Sequence, residues 1–112
     1  MFGFKHPPKI LNWFFPSFLW RVSTKKKELY LTFDDGPSPH STKWIIEKLK
    51  EYKAKGTFFC TGEKVNLFSN DFKEIINNGH LVGNHTHDHI NGWISTKHEY
   101  IQNIEKCNKV IK

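Results

Sequence analysis

From residue 28 onward the spacing of apolar residues changes repeatedly along the chain, and each change predicts an element. ELYLTF (28–33) alternates Leu29, Leu31 and Phe33 with Tyr30 and Thr32, the two-residue period of a strand. Both sets are fairly apolar, which predicts a strand covered on two faces, as in parallel sheets. In 42–53, Trp44, Ile45, Leu49 and Tyr52 fall near helical spacing while Lys and Glu fill the remaining positions, so a helix is expected there. Gly56 opens a short apolar run, TFFC (57–60), read as a second strand, and Gly62 predicts the turn that leaves it. A second helix over about 71–77 uses Phe72, Ile75 and Ile76 and stops at Asn78-Gly79, a pair suited to a left-handed C-terminal cap. HLVG (80–83) reads as a third strand. The last helix starts at Thr96-x-x-Glu99, a capping box, and carries Tyr100, Ile104, Cys107 and Ile111 on one face.

Strands alternating with helices predict a parallel α/β arrangement. Three such units cannot close a barrel, which in its common form takes eight strands and roughly 250 residues, so the sequence reads as the N-terminal part of a larger domain. The 112 residues amount to one domain at most. A hydrophobic fraction of 38% without biased or repeated segments argues for a chain that folds rather than a disordered one.

The net charge of +6 comes from sixteen Lys and one Arg, gathered only at Lys25-Lys26-Lys27. Recognition of nucleic acids favours Arg forks and clustered basic faces, so no nucleic-acid partner is expected. Attraction to an anionic surface, a cell-wall polymer or a membrane, stays open. Cys60 and Cys107 make no metal-finger or redox spacing and sit among apolar neighbours, which favours buried free thiols over a disulfide.

Residues 10–20, ILNWFFPSFLW, follow Lys5, His6 and Lys9 and are apolar and aromatic. Eleven residues are too few to span a bilayer, which takes about 20. No small-residue cleavage site of a signal peptide follows. The favoured expectation is an extension, residues 1–27 with its Lys-rich linker, that packs on a domain of residues 28–112. The alternative is membrane-surface contact through Trp13 and Trp20, with placement at the cell envelope.

Two constellations carry chemistry. In LTFDDGPSPH (31–40), Asp34 and Asp35 end an apolar strand at Gly36-Pro37. Neighbouring strand residues point to opposite faces, so both carboxylates can serve one site only if the chain is already leaving the strand. In GNHTHDH (83–89), His85, His87, Asp88 and His89 directly follow the third strand. His85 and His89, at i and i+4, would point one way from a helical turn and could share a metal, while His87 and Asp88 face elsewhere. Parallel α/β folds gather the C-terminal ends of their strands at one face. One carboxylate and two imidazoles there would leave an open coordination position, the pattern of a catalytic zinc, and the second carboxylate would be free to act as a base.

TFDDGP (32–37) and HTHDH (85–89), the latter led in by NGHLVGNHT, together resemble the two first motifs of the polysaccharide deacetylase family, also called the NodB-homology domain or carbohydrate esterase family four. The resemblance covers residues 28–112. It implies the N-terminal part of a distorted (β/α) barrel that removes acetyl groups from N-acetylated sugars, chitin oligomers or peptidoglycan. It further implies Asp34 as catalytic base, Asp35, His85 and His89 as ligands of zinc or another divalent transition metal, and Thr86 as a hydroxyl that braces the loop. The family's later motifs, which supply the general acid and the oxyanion donors, would lie beyond Lys112.

A metallo-β-lactamase-like hydrolase, with its His-x-His-x-Asp-His motif, is a poorer fit, because HTHDH is one residue short and Asp34-Asp35 is left unexplained. A rival of another class is a truncated, non-catalytic metal- or carbohydrate-binding remnant of the deacetylase fold.

Overall fold

The computed structural model describes residues 10–20, 22 and 25–112; Lys5, His6 and Lys9 lie outside them. In chain order the elements are α1 (Ile10–Phe14), β1 (Leu31–Gly36), α2 (Ser41–Glu51), β2 (Gly56–Cys60), α3 (Gly62–Leu67), α4 (Ser69–Asn77), β3 (Leu81–Asn84) and α5 (Lys97–Ile111). The strands form one parallel sheet in the order β1-β2-β3. The sheet does not close on itself among the described residues.

The first strand begins later than its alternation predicts and runs further. Leu31 pairs with Gly56, where β2 starts, so residues 28–30 have no strand to pair with, and Leu29 and Tyr30 are exposed. Nor is the strand covered on two faces. Phe33, Phe58, Cys60 and Val82 meet Ile46 and Leu49 of α2, Val65 of α3, and Phe72 and Ile75 of α4 in one core. Across the sheet, Thr32, Asp34 and Leu81 are exposed and Thr57 and Phe59 half-buried, since no described helix lies over them. Period-two apolarity reports what a strand can bury; coverage depends on elements elsewhere in the fold.

Helix α2 buries Thr42, Ile46 and Leu49, spaced i, i+4, i+7, while Trp44 and Tyr52 of the expected apolar face are exposed. Its end is a Schellman motif in which Lys53 (φ 52°) donates to the Lys50 carbonyl and Ala54 to that of Leu49. A lysine pays a left-handed penalty there that glycine would not. Lys53→Gly is therefore expected to stabilise the fold by about 0.5–1 kcal/mol, read from urea unfolding midpoints. Helix α4 ends the same way at the glycine that the sequence nominated. Gly79 (φ 71°) donates to Ile76 and His80 to Ile75, so His80 completes the cap and β3 starts at Leu81 instead of residue 80.

The turn expected at Gly62 is instead the first residue of α3, a helix too short to show a period. Helix α5 has the predicted capping box: Thr96 Oγ1 accepts from the Glu99 N–H while Glu99 Oε2 accepts from the Thr96 N–H. The Thr96 hydroxyl donating to Glu99 Oε2, and then the Thr96 N–H, hold the Glu99 carboxyl below its ordinary range. Tyr100, Ile104 and Ile111 are half-buried and Cys107 fully buried on its inner face.

Both cysteines are free and buried, as their neighbours predicted. Burial, and then the neighbouring Cys107, push the Cys60 thiol up to about 12, and burial raises Cys107 as well, so both stay protonated and inert.

The N-terminal aromatic run, expected to pack on the domain, leaves most of its large apolar side chains exposed. Helix α1 buries none of its residues, and Pro16 follows it closely, so the chain folds back on itself. Phe15 and Phe18 stack, Phe18 tilts against Trp20, and Trp20 Nε1 donates to the Phe15 carbonyl. Among the described residues no helix is long and apolar enough to cross a membrane.

Candidate metal centre

The two adjacent carboxylates are separated by a bulge. Asp34 pairs with Phe59 and Gly36 with Cys60, which leaves Asp35 as the extra residue of β1, at φ 65°. In an unbroken strand Asp35 would share the core face of Phe33, whose ring stacks on Phe58 with centroids 4.9 Å apart. The bulge turns it away from that core. A carboxylate can occupy this backbone region because Asp tolerates left-handed angles better than most residues. The assigned strand continues to Gly36, so it is the bulge, rather than an early strand end, that lets neighbouring carboxylates diverge from the alternation.

Residues 85–89 do not form the helical turn that the i, i+4 spacing suggested. They are an irregular loop with two left-handed non-glycine residues, Thr86 (φ 63°) and His89 (φ 59°). For a β-branched threonine this is a strained conformation that needs external support. The result is nonetheless convergence. His85 Nε2 lies 3.0 Å and His89 Nε2 2.9 Å from the same oxygen, Asp35 Oδ1. One donor atom from each of the three residues falls within 4.8 Å of the others.

This donor set suits a divalent transition metal. One carboxylate oxygen and two imidazole nitrogens, brought together from the ends of β1 and β3, make a three-ligand set of the kind zinc accepts with a position left open. Asp34 is exposed on the uncovered sheet face, one residue away, without a hydrogen bond or ion pair among the described residues. Asp88 faces elsewhere, toward α5. His87 is buried between Gly62 and the loop, and neither its Nδ1 nor Thr86 Oγ1 has a hydrogen-bond partner among the described residues. Thr86 therefore does not brace the loop through its hydroxyl, as the resemblance implied.

Other groups supply the bracing, and little in the amino-acid sequence marked them. The first turn of α3 has unpaired N–H groups, as every helix start does, and here they donate across the site: Gly62 to the Thr86 carbonyl at 3.1 Å and Glu63 to that of His87 at 2.8 Å. Lys64 Nζ, on the same turn, donates to the Asp35 carbonyl at 2.7 Å. Asn84 Oδ1 accepts from the Thr86 N–H while its Nδ2 donates to the Ile104 carbonyl and to Asn108 Oδ1. Asn103, on α5, reaches the peptide units of His87 and Asp88. Of these, only Asn84, directly before the histidine motif, stood in a suggestive place in the sequence.

Residues 21–112 match the family model described as polysaccharide deacetylase. A peptidoglycan-N-acetylglucosamine deacetylase of Bacillus cereus is 43% identical over 86 residues, covering 77% of this chain and 31% of that protein. A chitooligosaccharide deacetylase of Azorhizobium caulinodans is 38% identical over 71 residues, covering 63% of this chain and 34% of the relative. The crystal structure of the Bc1960 peptidoglycan N-acetylglucosamine deacetylase superposes with a TM-score of 0.75 at 42% identity, over 78% of this chain and 41% of that one. The chain thus spans about a third of the length of these two curated relatives.

Proposed function

The chain belongs to the polysaccharide deacetylase family, its three parallel strands corresponding to part of that family's (β/α) barrel, and from that premise we propose that it is a metal-dependent hydrolase of the N-acetyl amide bond in N-acetylated glycans. The deacetylase domain is taken as residues 28–112 and residues 1–27 as an extension. The observation that carries the reading is the meeting of Asp35, His85 and His89 at one point. The names of the relatives, peptidoglycan and chitooligosaccharide deacetylases, support a substrate of peptidoglycan or chitin-oligomer type.

Asp35 Oδ1, His85 Nε2 and His89 Nε2 would hold the ion, with zinc favoured by the donor set. When bound, such an ion supplies Lewis acidity toward the acetyl carbonyl and lowers the pKa of a water to about 7. Asp34 is assigned the general base: its carboxylate, unengaged and next to Asp35, takes the proton from the attacking water. Asp34→Asn is expected to cut acetate release by about 10²–10⁴-fold, the usual weight of a positioned acid or base, while zinc affinity stays near that of the parent.

A second reading is favoured by the open sheet, which leaves Asp34 on an uncovered face: the chain holds metal without turning over. Metal content and acetate release from N-acetylglucosamine oligomers and peptidoglycan separate the two. Metal with acetate supports the hydrolase, metal without acetate supports the second reading, and neither overturns both.

A further inference from the structure

The loop that carries both histidines is costly to hold, since Thr86 and His89 both adopt left-handed backbone and the Thr86 hydroxyl has no partner among the described residues. One side of its support comes from α3, through backbone donors. Besides Asn84, which accepts from the Thr86 N–H, the other side rests on one side chain of α5. Asn103 Oδ1 accepts from the N–H groups of both His87 and Asp88, the second at 3.3 Å, and Asn103 Nδ2 donates to Asp88 Oδ1 at 2.8 Å. These two peptide units lie midway between His85 and His89. Whatever fixes them sets how the flanking imidazoles are presented.

Asn103 is well placed to be rigid. It is half-buried on the inner side of α5, between Tyr100 and the fully buried Cys107, and the next residue, Ile104, is tied to β3 through the Asn84 amide at 2.8 Å. The helix is thereby tied to the end of β3, with Asn103 as the arm that reaches into the loop.

We propose that Asn103 is a positioning residue of the metal centre: by gripping the His87 and Asp88 peptides from α5, it fixes the separation at which His85 and His89 present Nε2 to Asp35. The proposal rests on the reading that these three residues bind an ion. Asn103 touches neither the ion nor a substrate and acts through the histidine loop.

The hydrogen-bond pattern permits a test by exchange of donor and acceptor. Asn103→Leu removes all three bonds. Asn103→Asp keeps the acceptor but sets two carboxylates against each other, and adding Asp88→Asn restores a donor facing an acceptor, with the roles swapped. Zinc and cobalt affinities of the whole chain, measured by competition with a chromophoric chelator, are expected to fall about 10–100-fold in Asn103→Leu, the usual effect of losing a group that orients metal ligands. Asn103→Asp is expected to weaken binding too, and Asp88→Asn/Asn103→Asp to regain most of the loss. Amide hydrogen exchange at His87 and Asp88 in the metal-free chain should accelerate in Asn103→Leu and slow again in the double variant. If Asn103→Leu does not fold, the folded double variant carries the test alone: parent-like affinity supports the proposal, and an unrestored affinity overturns it. A parent that binds metal no more tightly than folded Asn103→Leu overturns the positioning role alone. A parent that takes up neither zinc nor cobalt overturns the metal reading and this role with it.

Discussion

Asp35→Asn is expected to abolish the zinc-dependent stabilisation expected of the parent chain while leaving the metal-free protein folded. The carboxylate oxygen that this substitution neutralises is the one on which both His85 Nε2 and His89 Nε2 converge, at 3.0 and 2.9 Å. Asparagine is the informative replacement because it tolerates the left-handed backbone at this position (φ 65°), whereas alanine would add strain to the loss of charge. For the parent, free zinc at about 100 times its dissociation constant should add roughly 2.7 kcal/mol of stability through mass action. An ion that keeps two imidazoles and an amide oxygen loses charge neutralisation as well as a strong ligand. Affinity is accordingly expected to drop more than the ~10–100-fold typical of groups behind the ligands. His85→Ala and, at the left-handed His89 (φ 59°), His89→Asn should match it. Thermal unfolding with and without zinc, and with a chelator added, provides the check: a zinc-dependent shift that survives in Asp35→Asn would place the ion elsewhere.

The second large effect is expected at a glycine. A Cβ on Gly62 would stand 2.3 Å from His87 Nδ1 and 3.1 Å from the Cys107 Cα, the first inside any tolerated contact and the second against backbone that cannot swing away. Gly62→Ala must push α3 off the loop or displace the buried His87 ring. Overpacking of this kind costs about 1–3 kcal/mol. It also breaks the Gly62 and Glu63 donations to the Thr86 and His87 carbonyls, so zinc affinity should fall with stability. The contrast is Gly36, where an added Cβ meets nothing within 4 Å and the effect on stability should be small. Denaturant unfolding of the two alanine variants decides it: equal midpoints would mean that the close approach of α3 to the loop is not what Gly62 provides.

These expectations draw unequally on sequence and structure. Short-range patterns were enough for the helices α2, α4 and α5, because amphipathic spacing, Asn78-Gly79 and the Thr96 to Glu99 capping box act within one or two turns of the residues that show them. They were also enough for β2 and β3, and for the pairing of an Asp-Asp-Gly-Pro strand end with a histidine cluster after a later strand. What they could not supply was α3, whose 6 residues are too few for a period, or the exposed side of the sheet.

The way the site is assembled also lay beyond local pattern. Sequence spacing suggested a helical turn for His85 and His89; the chain brings them together through left-handed residues that tertiary hydrogen bonds hold in place. The residue types present at the centre, and their order along the chain, were thus determined by sequence alone. Their meeting was decided by the parallel register of β1, β2 and β3, by one bulged residue, and by braces from α3 and α5. These contacts join residues remote in sequence, and their energies depend on packing that no short window of residues contains.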